Sequence, residues 1–201
     1  GGQLLCQDSY DPGAHEGHFG GWQWMAGVAV KPNDLGGLAT ARPDISGAAL
    51  EPFLRRAANH LAAMDCIGLA VPAPQNGLTL VDERDEYGMR KAVLTHSYDP
   101  DALALYEAAK AQGLRIMQAA GAQEAWATPV NAAHIMGGTI MGNDPASSVA
   151  NSYGQTHDVP NLFVTGASLF PAGGAVNPTF TLNALALRSA EFMTRNWAQL
   201  V

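Results

Sequence analysis

Cysteine is scarce in this chain: Cys6 and Cys66 are the only two among 201 residues. They fall at no metal or redox spacing; two buried thiols are the default reading of free cysteine, with a bridge between them left open. Basic residues are also few, 11 against 18 acidic, for a formal charge of −7. That balance opposes the phosphate contacts that dominate nucleic-acid affinity, and it excludes nucleic acid as an expected partner. No apolar run approaches the roughly 20 residues of a spanning helix, and Gly1-Gly2-Gln3 has neither the basic nor the apolar region of a signal peptide. No Gly-x-Gly-x-x-Gly turn occurs. The glycine-rich places, Gly17 to Gly21, Gly36-Gly37, Gly137-Gly138 and Gly173-Gly174, are therefore not dinucleotide fingerprints. Only 14% of residues are charged against 47% hydrophobic, which excludes disorder and describes a folded chain with a rather uncharged surface. Its length allows one sizeable core, or one domain plus a segment that belongs to another.

Residues 1–20 read as an entry loop. Trp22 to Val30 reads as a strand, with Lys31-Pro32-Asn33-Asp34 and Gly36-Gly37 as turn material. The spacing of Leu50, Phe53, Leu54, Ala57 and Leu61 predicts a helix from about Ile45 to Met64, with Ser46 as its cap. Strands are expected at Cys66 to Val71, Leu78 to Val81 and Met89 to His96, the last two joined across a charged turn, Asp82 to Gly88. Asp99 as N-cap and Pro100 at the first helical position start a helix that Gly121 ends. A short buried strand at Asn161 to Thr165 and a helix from Pro178 to about Trp197 complete an α+β pattern with an antiparallel sheet flanked by helices.

Two segments carry most of the chemistry. The first runs His134-Ile-Met-Gly137-Gly138-Thr-Ile-Met141-Gly142. The second is Gly166-Ala167-Ser168, followed by Asn177-Pro178-Thr179, with Asn177 placed 43 positions after His134. Together they supply a base, a hydrogen-bonding amide and a helix start. They resemble the C-terminal signature of the glucose-methanol-choline family of flavin oxidoreductases. The stretch from His134 to about Phe192, with Asn143-Asp144-Pro145 and Asn161-Leu-Phe-Val164, looks most like the branch that contains gluconate 2-dehydrogenase flavoprotein subunits.

The resemblance implies the C-terminal piece of a longer FAD-dependent enzyme that oxidises the CH–OH group of an alcohol, sugar or sugar acid. Residues 21–130 would be its substrate-binding domain. Residues 131–201 would hold the catalytic loop and a strand-helix segment that returns to an FAD-binding domain absent here, whose loss leaves an apolar face for that domain or a second copy of the chain. Electrons would pass to a cytochrome or quinone rather than to oxygen. The compartment is left open, a periplasmic or membrane-associated parent included.

Alcohol oxidation removes a proton from oxygen and a hydride from carbon, and the flavin accepts only the hydride. An imidazole, with a reference pKa of about 6.5, suits the proton, an effect worth about 10²- to 10⁴-fold in rate; His134 is the expected base. Asn177 would donate its amide to the same oxygen. As the expected N-cap, with Pro178 next, it leaves the amides of Thr179 and Phe180 free to favour the anionic edge of reduced flavin, by roughly 0.3 to 2 kcal/mol. By resemblance, Gly166, Ala167 and Ser168 lie against the ribityl and pyrophosphate part of FAD. Gly166 stands where relatives often carry Asp, and Gly137-Gly138-Thr139 departs from the commoner Gly-Thr.

Blander readings compete. A histidine among apolar neighbours is more often a satisfied structural residue, and Asn177 serves equally as a plain cap. His15 and His18 invite a metal reading, but their loop lacks the rest of a zinc pattern and no metal is expected. His60, His96 and His157 read as surface or capping residues. Trp22, Trp24 and Trp126 read as core before sugar site. An oxidase or lyase of the same family, and a non-enzymatic assembly module that keeps this fold, are the alternatives in function.

Overall fold

The computed structural model describes residues 3–11, 13, 15–27 and 32–200. They fall into two units: residues 1–68 with 101–131, and residues 69–100 with 132–201. The hairpin segment 69–100 groups with the C-terminal part. Helices and small antiparallel sheets make the class α+β, as the element order suggests. Among the described residues, no helix is long and apolar enough to cross a membrane.

In the first unit, β1 (Gln3–Cys6), β2 (Trp22–Gly27) and β3 (Ala63–Gly68) form an antiparallel sheet in that order. Strand β1 lies inside the expected entry loop, and residues 28–31 of the expected strand and turn lie outside the described residues. Side chains two apart on a strand share a face, so Trp22 and Trp24 point together at Leu105 and Ala109 of α3 (Pro100–Ala119), and all four are buried. Gln112, one turn further along α3, accepts both indole N–H bonds, at 2.9 and 2.6 Å. The three tryptophans are accounted for by packing, Trp126 joining the second cluster below.

The same register settles the cysteines. Cys6 pairs with Trp24, which pairs with Cys66 across the next ladder. Two strand spacings, roughly 9 to 10 Å, separate them, beyond the reach of about 7 Å for a disulfide. Both are exposed rather than buried.

Gly113 lies where α3 crosses Trp24. Alanine in a helix interior normally gains roughly 0.8–1 kcal/mol over glycine. Here a Cβ would stand 2.6 Å from Trp24 Cη2, and the hydrogen-bonded indole cannot swing away. Overpacking costs roughly 1–3 kcal/mol, so Gly113→Ala is expected to destabilise the protein by about 1–2 kcal/mol in urea unfolding. A variant more stable than the parent would contradict this packing.

Pro32–Ala39, expected as a turn, is a helix, α1. Two glycines weaken it locally, but Leu35 and Ala39, four apart, bury against Phe53 and Ala57 of α2 (Leu50–His60), with Trp126 beside them. The expected helix from Ile45 to Met64 is shorter. A 3₁₀ turn, Gly47–Ala49, precedes α2, and the Ser46 hydroxyl makes no capping bond. Leu61 is already extended, because Ala63 and Met64 pair with β2. Arg42 closes this cluster, bonding Asp44 and Glu124 and lying 5.1 Å from the centre of the Trp126 ring. The guanidinium holds the Asp44 carboxyl below the usual carboxylate range.

In the second unit, β4 (Gly77–Arg84) and β5 (Arg90–Thr95) form the expected hairpin. Asp85 Oδ1 accepts the amides of Tyr87 and Met89, and Gly88 takes the positive φ of the turn. Leu78, Leu80 and Leu94 share one face and are exposed. Helix α4 (Thr179–Leu200) leaves Phe180, Leu187 and Trp197 exposed. The expected buried strand at Asn161 to Thr165 does not form. Phe163 makes only an isolated bridge with Gln155, and Leu162 is half exposed.

Candidate active site

The two motif segments lie side by side in the second unit. Gly137, Thr139 and Met141 donate their amides to the carbonyls of Ala167, Ser168 and Leu169, at 3.1, 3.1 and 2.9 Å. The acceptors belong to a 3₁₀ turn, Ala167–Leu169, entered through Gly166 at φ +107°. Gly137 and Gly138 take φ +84° and +100°, a conformation that side-chain residues rarely adopt, so the extra glycine in the Gly-Gly-Thr run has a backbone reason.

Behind this pairing, residues 140–164 form a short meander. Gly142 donates to Ala150, Val149 to Ile140, Thr156 to Leu162 and Val164 to Gly154. Ala150 is fully buried. Ser148 Oγ lies 2.7 Å from the Asp144 carbonyl and 3.0 Å from His157 Nε2. One hydroxyl hydrogen cannot serve both; the carbonyl can only accept, so Ser148 donates to it and His157 donates to Ser148. His157 is thus a half-buried brace rather than a surface histidine. Sequence reading missed this pair, and its one local signal is Gly142, where a Cβ would meet Ser148 Cβ at 2.8 Å.

His134 stands at an exposed bend ahead of the clamped loop, and no described residue hydrogen-bonds its imidazole. Asn177 is also exposed, at the end of a loop anchored where Gly173 and Ala70 exchange two backbone bonds of 3.0 Å. Helix α4 closes its first turn with Leu182 N–H on the Pro178 carbonyl, at 2.9 Å. Pro178 therefore holds the capping position and Asn177 precedes it, one residue off the expected register. The amides of Thr179 and Phe180 remain in the first turn with no carbonyl of their own helix to reach. Among the described residues, no group of three His, Cys, Asp or Glu side chains could hold a metal ion.

The family model described as GMC oxidoreductase matches residues 72–186, more than half of the chain, and the chain belongs to that family. It is 36% identical over 152 residues to 2-methyl-1,2-propanediol dehydrogenase of Mycolicibacterium austroafricanum, an alignment covering 71% of this chain and 27% of that protein. It is 31% identical over 170 residues to the fructose dehydrogenase large subunit of Gluconobacter japonicus, covering 83% and 31%. With the gluconate 2-dehydrogenase flavoprotein of Pantoea cypripedii, identity reaches 53% over 58 residues, 29% of this chain and 9% of that protein. The chain thus spans between a quarter and a third of the length of the first two.

The family implies FAD. The residues present fit such a group. Thr139 Oγ1 is buried without a hydrogen-bond partner, in the middle of the clamped loop. Gly166, which leads into the 3₁₀ turn that this loop pairs with, has open space where a side chain would stand.

Proposed function

We propose that this chain carries the catalytic residues of an FAD-dependent dehydrogenase that oxidises the CH–OH group of an alcohol, sugar or sugar acid. Bound FAD supplies the hydride acceptor. His134 takes the hydroxyl proton of the substrate, and Asn177 donates its amide to the same oxygen and stabilises the developing charge. Gly166, Ala167, Ser168 and Thr139 would hold the cofactor through backbone amides and hydroxyls, and the amides of Thr179 and Phe180 at the helix start would favour negative charge on it. A dinucleotide-binding domain elsewhere in the same protein holds the rest of FAD and covers the apolar face of α4 that Phe180, Leu187 and Trp197 present.

The observation that carries this reading is an exposed imidazole, with no hydrogen-bond partner among the described residues, three residues ahead of a loop that three backbone bonds fix to a glycine turn. A general base needs a ring nitrogen free to take the substrate's proton. Electrons pass onward to a cytochrome or quinone. Relatives named as oxidases, such as paromamine 6'-oxidase of Streptomyces fradiae at 32% identity over 124 residues, support a second reading in which oxygen is the acceptor.

Full-length protein loaded with FAD and mixed anaerobically with a panel of alcohols, sugars and sugar acids should lose its flavin absorption with at least one of them. Bleaching by none would overturn the dehydrogenase and oxidase readings together. On admitting air, absence of stoichiometric peroxide selects the dehydrogenase.

A further inference from the structure

The first unit holds a cleft of about 350 Å³ that shares no residue with the candidate active site. His15, Glu16, His18 and Trp22 line it from the N-terminal segment, Gln112 and Arg115 from α3. The His15 ring stacks on Trp22 at 4.5 Å between centroids, and the His18 ring on His15 at 5.3 Å. Trp22 is buried, so the stack is a fixed wall. His15 donates through Nε2 to the Ser9 carbonyl at 3.1 Å. The Gln112 carboxamide is also oriented. Its oxygen must face the two indole N–H groups, which can only donate, and its nitrogen gives one hydrogen to Ser9 Oγ at 2.9 Å, leaving a second N–H.

Two groups in this cleft are unsatisfied. His18 Nδ1 is buried with no hydrogen-bond partner. Arg115 has no carboxylate, carbonyl or ring partner among the described residues, whereas nearly every other described cation has one; the exception, Arg56, does not line this cleft. A guanidinium with no partner among the described residues and a carboxamide with a spare N–H line this cleft, and the neighbouring His18 has a buried nitrogen without an acceptor.

We infer that this cleft is a binding site for a small oxyanion, a carboxylate or a phosphate, seated on Arg115 with His18 Nδ1–H and Gln112 as further donors. The chain as a whole carries −7, so general electrostatics repel such ligands and only a local donor set can hold one. Arg115 attracts the ligand and Glu16 opposes it.

The test is a titration of the full chain with inorganic phosphate and, separately, acetate, at constant ionic strength set with sodium chloride. Tryptophan fluorescence and the His18 ring resonance are followed. A saturable response to at least one anion is expected, weakened about ten- to a hundredfold in Arg115→Gln and in His18→Phe, and strengthened in Glu16→Gln. His18→Phe keeps a ring in the stack while removing the nitrogen, and Arg115 is exposed, so both variants should keep the parent circular dichroism. Non-saturating responses to both anions, or equal affinities in parent and Arg115→Gln, would overturn the site. Because the readout needs no flavin and no turnover, it stands or falls apart from the proposed dehydrogenase.

Discussion

His134→Ala, introduced into the full-length protein, is expected to slow anaerobic flavin reduction by substrate about 10²- to 10⁴-fold, the range lost when a positioned general base is removed. The substituted side chain is exposed and makes no hydrogen bond among the described residues. Thermal stability and flavin content should therefore stay near the parent's. That separation matters, since a purely structural histidine would show the reverse: lower stability with reduction little changed. The loop itself is held by backbone bonds from Gly137, Thr139 and Met141, none of which uses the imidazole. Added imidazole should restore part of the rate by supplying the missing base from solution. Stopped-flow reduction at the parent's rate would remove His134 from the mechanism.

Gly154→Ala is expected to cost about 3–5 kcal/mol of stability, combining a left-handed backbone of roughly 1–3 kcal/mol with a similar term for overpacking. Gly154 sits at φ +74°, and an added Cβ would lie 2.4 Å from the carbonyl oxygen of Val164. That contact cannot relax by a rotamer change, because Val164 N–H is bonded to the Gly154 carbonyl at 2.8 Å. The ladder behind the motif would have to open. In a chain of this length each kcal/mol shifts Tm by about 2–4 °C, so a fall of about 10 °C in thermal unfolding is expected. Gly166→Ala is the internal comparison: it carries φ +107° but meets no atom within 4 Å, so it should lose only the backbone share. Equal losses at the two positions would show that the close approach at Gly154 contributes nothing.

The recognisable elements are those whose signals are local. Asp99-Pro100 followed by a regular apolar spacing marks α3, the charged segment ending in Gly88 marks the hairpin turn, and the spacing of Leu182, Leu185, Ser189 and Phe192 marks α4. Each of these rests on capping, turn chemistry or periodicity within a few residues. The offsets from His134 to Gly137, Met141, Gly142 and Asn177 are likewise a property of the chain alone, and the family follows from them.

What needed the third dimension was every case in which a distant partner outweighs local preference. Helix α1 survives Gly36 and Gly37 because Leu35 and Ala39 find Phe53 and Ala57. Helix α2 stops at His60 because the next residues are claimed by β2. The apolar run at Asn161 to Thr165 stays irregular because its only ladder bonds are the two around the isolated Gln155–Phe163 bridge, Thr156 to Leu162 and Val164 to Gly154, too few to extend into a strand. At the site, the clamp on the loop after His134 and the His157 brace join residues that no local pattern relates, and only packing leaves the Thr139 hydroxyl without a partner. Residue order determined which chemical groups this protein carries; only tertiary contacts decided which of them are satisfied and which are left open to a ligand, because hydrogen bonding is settled by proximity in space.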